Sequence, residues 1–134
     1  MAKLYLLDTN IASYVIKGYA PVVRHHMKRA SLAPLAISAV TEGELLYGVA
    51  RRPEAARLRI IVREFLLRVS VQPWDSSAAG FYGELRAALE KLGSPMGNLD
   101  MMIGAHALAL GAVLVTNDRA FRRIQGLRIE NWAG

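Results

Sequence analysis

The 134-residue chain predicts an α/β fold: a mostly parallel sheet of four to five strands covered by helices. Apolar runs of four to five residues alternate with longer segments of helical period, the rhythm of βαβ units. No repeat, low-complexity tract or Ser/Gly-rich linker interrupts it, and the length suits one domain spanning 1–134. Acidic residues fall where apolar runs meet their loops. Asp8 ends LYLLD and Asp118 follows LVTN, positions outside the carboxyl ends of strands, where open α/β sheets bind ligands.

Taken in order, residues 3–7 read as the first strand. Asn10 can cap a short helix that stops at Gly18, and Pro21 can start another that reaches about Ala30. LAIS, 35–38, is a short strand, followed by a helix from Thr41 to about Arg51. Pro53 restarts a helix that runs toward Arg68 through Leu58, Ile61, Phe65 and Leu66. VSVQP, 69–73, is the third strand. From Asp75 to Leu92, residues Ala79, Tyr82, Leu85, Ala88 and Leu89 recur at helical spacing, and GSPMGN then breaks the chain. Leu99 to Leu110 is almost wholly apolar, so this helix must be buried on most sides. AVLVT, 112–116, is a buried strand, DRAFRRI a short helix and LRIENW a last edge strand.

Hydrophobic residues make up 53% of the chain, yet no apolar run approaches the roughly 18 residues that span a bilayer. MAKLYLLD lacks a small-residue cleavage pattern, so a cytoplasmic protein without membrane contact is expected. The absence of cysteine excludes disulfides, thiolate zinc sites and a cysteine nucleophile. Any metal must be held by oxygen or imidazole. Setting four of the 11 acids aside leaves 7 against 17 basic residues. An acidic pocket on such a surface suits a nuclease, although solubility alone accounts for many basic proteins.

Four acids are the candidate site: Asp8, Glu44, Asp100 and Asp118. Asp8 has an ordinary alternative as a helix cap, but Thr9 and Asn10 compete for that job. Asp118 reads equally well as the cap of RAFRRI. Asp100 sits beside MMIGAHALALG, where an unpaired carboxylate costs about 3 kcal/mol or more; its alternative is a first-turn acid favoured by the helix dipole. Thr41-x-x-Glu44 also matches a capping box, and Glu42 rivals Glu44, since helical periodicity does not choose between them. The joint pattern says more than any one acid, because strand ends and helix starts can converge on one crevice. Two carboxylates about 4 Å apart repel by roughly 4 kcal/mol at an effective dielectric of 20, so convergence calls for a cation. Oxygen ligands select Mg²⁺ or Mn²⁺, which activate water without Ser, Cys or His.

Around these acids, Arg119 and Arg122 follow Asp118 and Arg51 ends the Glu44 helix, so all three are candidates for holding phosphates. Tyr14, Tyr47 and Trp74 offer faces for base stacking, with core or dimer packing as the simpler assignment. His25 and His26 read as a solvated face. His106 lies about 240° around the helix from Asp100 and reads as a satisfied core or interface histidine.

YLLDTNI, ISAVTEGELLYGVAR, GSPMGNLDMMIGAHALALGAVLVTND and FRRIQGLRIENW, in this order and spacing, resemble the PIN-domain ribonucleases, and within them the VapC toxins of bacterial toxin–antitoxin pairs. The resemblance covers nearly the whole chain. It implies an α/β/α sandwich with an acidic site at Asp8, Glu44, Asp100 and Asp118, which selects Glu44 over Glu42. It also implies Mg²⁺- or Mn²⁺-dependent cleavage of RNA by metal-activated water. Thr116 would assist from behind the acids, beside Asn10. The implied partners are a VapB-type antitoxin, a second copy in a homodimer, operator DNA only through the antitoxin, and an RNA, with a tRNA anticodon stem-loop as substrate. One departure is local. Several relatives carry Asn-Asn and a longer loop after the last buried strand, where this chain has Asn117 followed directly by Asp118. Two other readings compete: a HAD-like phosphatase, disfavoured because DTN has no second acid two residues on, and a catalytically silent PIN-like module that binds RNA or protein.

Overall fold

The computed structural model describes residues 3–18 and 35–132. Five short strands form one parallel sheet: β1 (Tyr5–Leu7), β2 (Leu35–Ser38), β3 (Ser70–Gln72), β4 (Val113–Val115) and β5 (Arg128–Glu130), in the order β3-β2-β1-β4-β5. The helices are α1 (Thr9–Lys17), α2 (Ala39–Ala50), α3 (Ala56–Arg68), α4 (Ser76–Lys91) and α5 (Asn98–Leu110), with a 3₁₀ turn at Arg119–Arg123. The expected parallel sheet is present with five strands, and LRIENW does supply the edge. The helix expected from Pro21 to Ala30 lies outside the described residues. Among those described, no helix is long and apolar enough to cross a membrane.

Alternation along each strand sorts the side chains onto two faces. Leu7, Ile37 and Val115 point to one side and join Ile11, Leu45, Val62, Phe65 and Trp132 beneath α1, α2 and α3. Leu6, Ala36 and Leu114 point to the other and pack on Ile103, Ala107, Phe121 and Ile124 of α5 and the 3₁₀ turn. Helices therefore cover both faces, giving an α/β/α sandwich. Burial on both faces explains why β4 reads as unbroken apolar residues, VLV, all buried. Trp132 closes the first core layer; its ring lies 5.2 Å from Tyr5, centroid to centroid, and its Nε1 donates to Glu130 Oε1 at 3.0 Å.

Several boundaries move for identifiable reasons. Asp8, not Asn10, caps α1: its Oδ1 accepts from the Ile11 amide at 2.9 Å, while Asn10 lies exposed in the first turn. The capping box at Thr41 and Glu44 does not form, because α2 starts earlier and Ser38 is its cap, accepting from the Val40 amide at 3.1 Å. Thr41 is thereby buried inside the helix. Pro53 does not open α3, which begins at Ala56. DRAFRRI closes as a 3₁₀ turn. The apolar α5 is buried as expected, and it contains Gly104 because a Cβ there would stand 2.5 Å from Ile124 Cδ1 and 3.7 Å from the Phe121 ring.

That contact is testable by a double-mutant cycle. Gly104→Ala is expected to be better tolerated in an Ile124→Val background, which deletes the obstructing methyl group, with an interaction energy of about 0.5–3 kcal/mol. Urea unfolding of the four proteins measures it, and strict additivity would refute the close approach.

Candidate metal centre at the carboxyl edge

Chain order sets the place. From β1 the sheet grows one way to β2 and β3 and the other way to β4 and β5, so the β1/β4 boundary is the topological switch point, where a crevice opens beyond the strand ends. Leu7 pairs in register with Val115, which brings the next residues, Asp8 and Thr116, alongside one another. The Asp8 amide continues the ladder by donating to the Val115 carbonyl at 3.0 Å.

Asp8 is 4% exposed. Its two oxygens have different tasks: Oδ1 caps α1, and Oδ2 accepts from the Thr116 hydroxyl at 2.5 Å. The same hydroxyl accepts from the Asp118 amide at 3.0 Å, and Asp118 Oδ1 accepts from the Ala120 amide at 2.9 Å. Thr116, itself buried, thus fixes Asp8 directly and the Asp118 backbone through its lone pair. A second hydroxyl relay holds Glu44. Thr9 Oγ1 donates to Glu44 Oε1 at 2.6 Å and lies 3.1 Å from Thr41 Oγ1. Because Thr9 has one proton and spends it on Glu44, Thr41 must be the donor to Thr9. By sequence Thr9 is only a possible cap, and its place immediately after Asp8 is the one signal of this second task.

Asp100 enters from the first turn of α5, half-buried, and its carboxylate accepts no hydrogen bond among the described residues. Electrostatics shows that the four acids share a neighbourhood. Burial, chiefly, pushes the Asp8 carboxyl up to about 6, with the charges of Asp100 and Asp118 adding to it against the hydrogen bonds from Thr116 and Ile11. Burial also raises Asp100, followed by the charges of Asp118 and Glu44. Among the described residues the sole ion pair joins Arg86 to Glu90 on α4, so no described lysine or arginine forms an ion pair with these acids. No three acidic or imidazole groups among the described residues close into a coordination cluster; the acids are near enough to feel one another's charge without forming a cage. A donor set of carboxylate oxygens that repel one another fits a hard divalent cation, and Mg²⁺ in particular keeps several waters and needs few protein ligands.

Two clefts adjoin the acids. One, of about 370 Å³, runs from Thr116 and Asp118 past Arg119 and Arg122. The other, of about 260 Å³, is lined by Thr9, Glu44, Arg51, Arg52 and Lys17. Arg119 and Arg122 have no partner among the described residues, whereas Arg123 and Arg128 are engaged on the carbonyls of Pro95 and Gly111. The Arg51 guanidinium lies 5.6 Å from the Tyr47 ring centroid, and Tyr47 is 66% exposed, so it is not a core residue. Tyr14 OH accepts from Asn117 Nδ2 at 3.4 Å. Trp74 is half-buried and donates to the Met102 carbonyl at 2.9 Å. His106 points away from the acids as expected, and it is only partly satisfied: Nδ1 meets Ser38 Oγ at 2.8 Å, while the buried Nε2 has no partner of good hydrogen-bond geometry among the described residues.

Asp8 holds its proton more tightly when folded than in the unfolded chain, so its burial opposes folding at neutral pH and the penalty fades as pH falls through 6 toward 4. Metal-free protein in EDTA should gain roughly 1 kcal/mol between pH 7 and pH 5 relative to Asp8→Asn. Urea titrations at the two pH values read the difference directly; parallel curves for both proteins would contradict the burial argument.

Comparison with known proteins agrees with this architecture. The PIN domain family matches residues 5–127. The tRNA(fMet)-specific endonuclease VapC of Shigella flexneri is 37% identical over 130 residues, covering 96% of this chain and 98% of that protein. The structure of VapBC2 from Rickettsia felis bound to a promoter DNA fragment superposes with a TM-score of 0.91 at 35% identity, over 96% of this chain and 98% of that one. DNA-bound VapBC from Salmonella typhimurium gives a TM-score of 0.90 at 38% identity, over 98% and 99%. A two-sided parallel sheet with acids gathered at its switch point, matched end to end by these relatives, places the chain in the PIN-domain family, among the VapC ribonucleases.

Proposed function

We propose that this chain is the toxin of a VapBC-type pair, a metal-dependent endoribonuclease that cuts tRNA in the anticodon stem-loop and acts in the cytoplasm. The observation that carries the proposal is the meeting of four carboxylates, Asp8, Glu44, Asp100 and Asp118, from separate segments, with no cationic partner among the described residues. Like charges gathered at that edge are tolerable only with protons or a cation between them.

In this reading Asp8, Glu44, Asp100 and Asp118 hold Mg²⁺ or Mn²⁺. When bound, the metal polarises a phosphoryl oxygen and lowers the pKa of water in its shell. The chain's own contribution is placement. Thr116 orients Asp8 and the Asp118 backbone, Thr9 orients Glu44, and Asn10 lies at the outer edge of the first turn of α1. Arg119 and Arg122 bind phosphates flanking the scissile one from one cleft, and Arg51 does so from the other. No histidine faces the acids among the described residues, which suits a reaction whose water is activated without a side-chain base.

The named relatives extend the reading to partners. Solved relatives are VapBC complexes on DNA, and we assign this chain a VapB-type antitoxin that contacts operator DNA on its behalf. The homodimer belongs to the same reading. Phe81 and Leu92 on and after α4, 42% and 76% exposed, provide apolar surface for a second copy.

Purified, antitoxin-free protein should release discrete fragments from total tRNA with Mg²⁺ or Mn²⁺ and none with EDTA, and Asp8→Ala or Asp100→Ala should abolish cleavage while remaining folded by circular dichroism. Full activity in either variant sinks the site; metal-independent RNA binding without turnover would instead identify a silent binding module. Arg119→Ala and Arg122→Ala should each weaken RNA binding and reduce the salt dependence of log K by about 0.7 for one lost single-strand phosphate contact. An unchanged slope removes that arginine from the substrate path.

A further inference from the structure

His106 is the one buried ionisable group of α5 that the proposed chemistry leaves unused, and its surroundings give it a definite state. The ring is 1% exposed, with Nδ1 2.8 Å from Ser38 Oγ. Ser38 Oγ already accepts from the Val40 amide, so its single proton is available for Nδ1. With Ser38 as donor, the ring proton belongs on Nε2. Burial lowers the imidazole's pKa, in keeping with a neutral ring. Nε2 nevertheless lacks a proper hydrogen bond. For packing alone this is a poor choice, since leucine would fill a similar volume with no polar atom left over.

Its value is in what it joins. Ser38 is the cap of α2, the helix that carries Glu44, and His106 belongs to α5, the helix that carries Asp100. Among the described residues theirs is the one side-chain hydrogen bond between those two segments. Each acid lies six residues from the bond, about 9 Å along its helix. The Glu44 and Asp100 charges repel, and that repulsion pushes their carriers apart. We infer that the Ser38–His106 bond is a positioning strut that fixes the separation of the Glu44 and Asp100 carboxylates and thereby sets the affinity of the metal centre. The inference rests on the metal reading of the four acids and adds two residues that touch none of them.

The test uses the full chain and Mn²⁺ itself as probe, with binding followed by calorimetry and stability by thermal melting. His106→Leu should fold with a melting temperature at or above that of the parent yet bind Mn²⁺ on the order of tenfold more weakly, the scale of losses seen when groups behind metal ligands are removed. At fixed Mn²⁺ its kcat for RNA should fall with KM unchanged. Ser38→Ala should reproduce the loss, the double variant should lose no more than the single ones, and His106→Asn, whose Oδ1 can accept from Ser38, should recover most of it. Unchanged Mn²⁺ affinity in His106→Leu, or losses that add in the double variant, would reduce the pair to packing. If His106→Leu does not fold, the contrast between Ser38→Ala and His106→Asn decides alone, and equal Mn²⁺ affinity in those two overturns the strut. Failure of the parent protein itself to bind Mn²⁺ would overturn the metal reading instead, and the strut with it.

Discussion

Asp8 is a carboxylate 4% exposed at the end of the central strand, and the arrangement around it follows from the need to hold that charge. A buried carboxylate is tolerated only when its oxygens are hydrogen-bonded or a cation faces it. Here the chain supplies the bonds. The Ile11 amide and the Thr116 hydroxyl take one oxygen each, which draws the start of α1 and the end of β4 onto the same atom group. Burial outweighs these bonds and keeps the carboxyl's pKa raised. That excess is what a divalent ion would relieve.

Hydroxyl relays are the common device. Thr116 serves Asp8 and Asp118, and Thr41 and Thr9 in series serve Glu44. A hydroxyl has one proton and two lone pairs, so each can brace a carboxylate while being braced itself, without bringing a positive charge that would compete with a metal. The basic residues Arg51, Arg119 and Arg122 line the adjoining clefts instead. Separation of the two signs, acids together and cations beside them, is the electrostatic design of the face.

Much of this was legible in the linear sequence. Strand and helix periods located all five helices among the described residues to within a few residues, and all five strands, of which the central ones read as short apolar runs because they are buried on both sides. Boundaries failed where two side chains could do one job. Ser38, Thr41, Asp8 and Asn10 are all competent caps, and local chemistry does not say which one the tertiary packing will leave beside a free amide. Start of α3 was misplaced for a related reason: Pro53 permits a helix start without requiring it.

What the sequence determined by itself was a mostly parallel sheet covered by helices and the candidate acids at strand ends and helix starts, since periodicity and turn chemistry act over neighbouring residues. Helical periodicity could not choose between Glu42 and Glu44; the choice came from family resemblance, and in the fold it is Glu44 that receives the Thr9 proton. Tertiary structure alone decided that Thr9 braces an acid 35 positions away, that Thr116 reaches back 108 positions to Asp8 and that His106 meets Ser38 across 68. Those contacts depend on parallel register and on which strands become neighbours at the switch point. That is a property of the assembled sheet, because a hydrogen bond between distant residues exists only once the backbone between them has been placed.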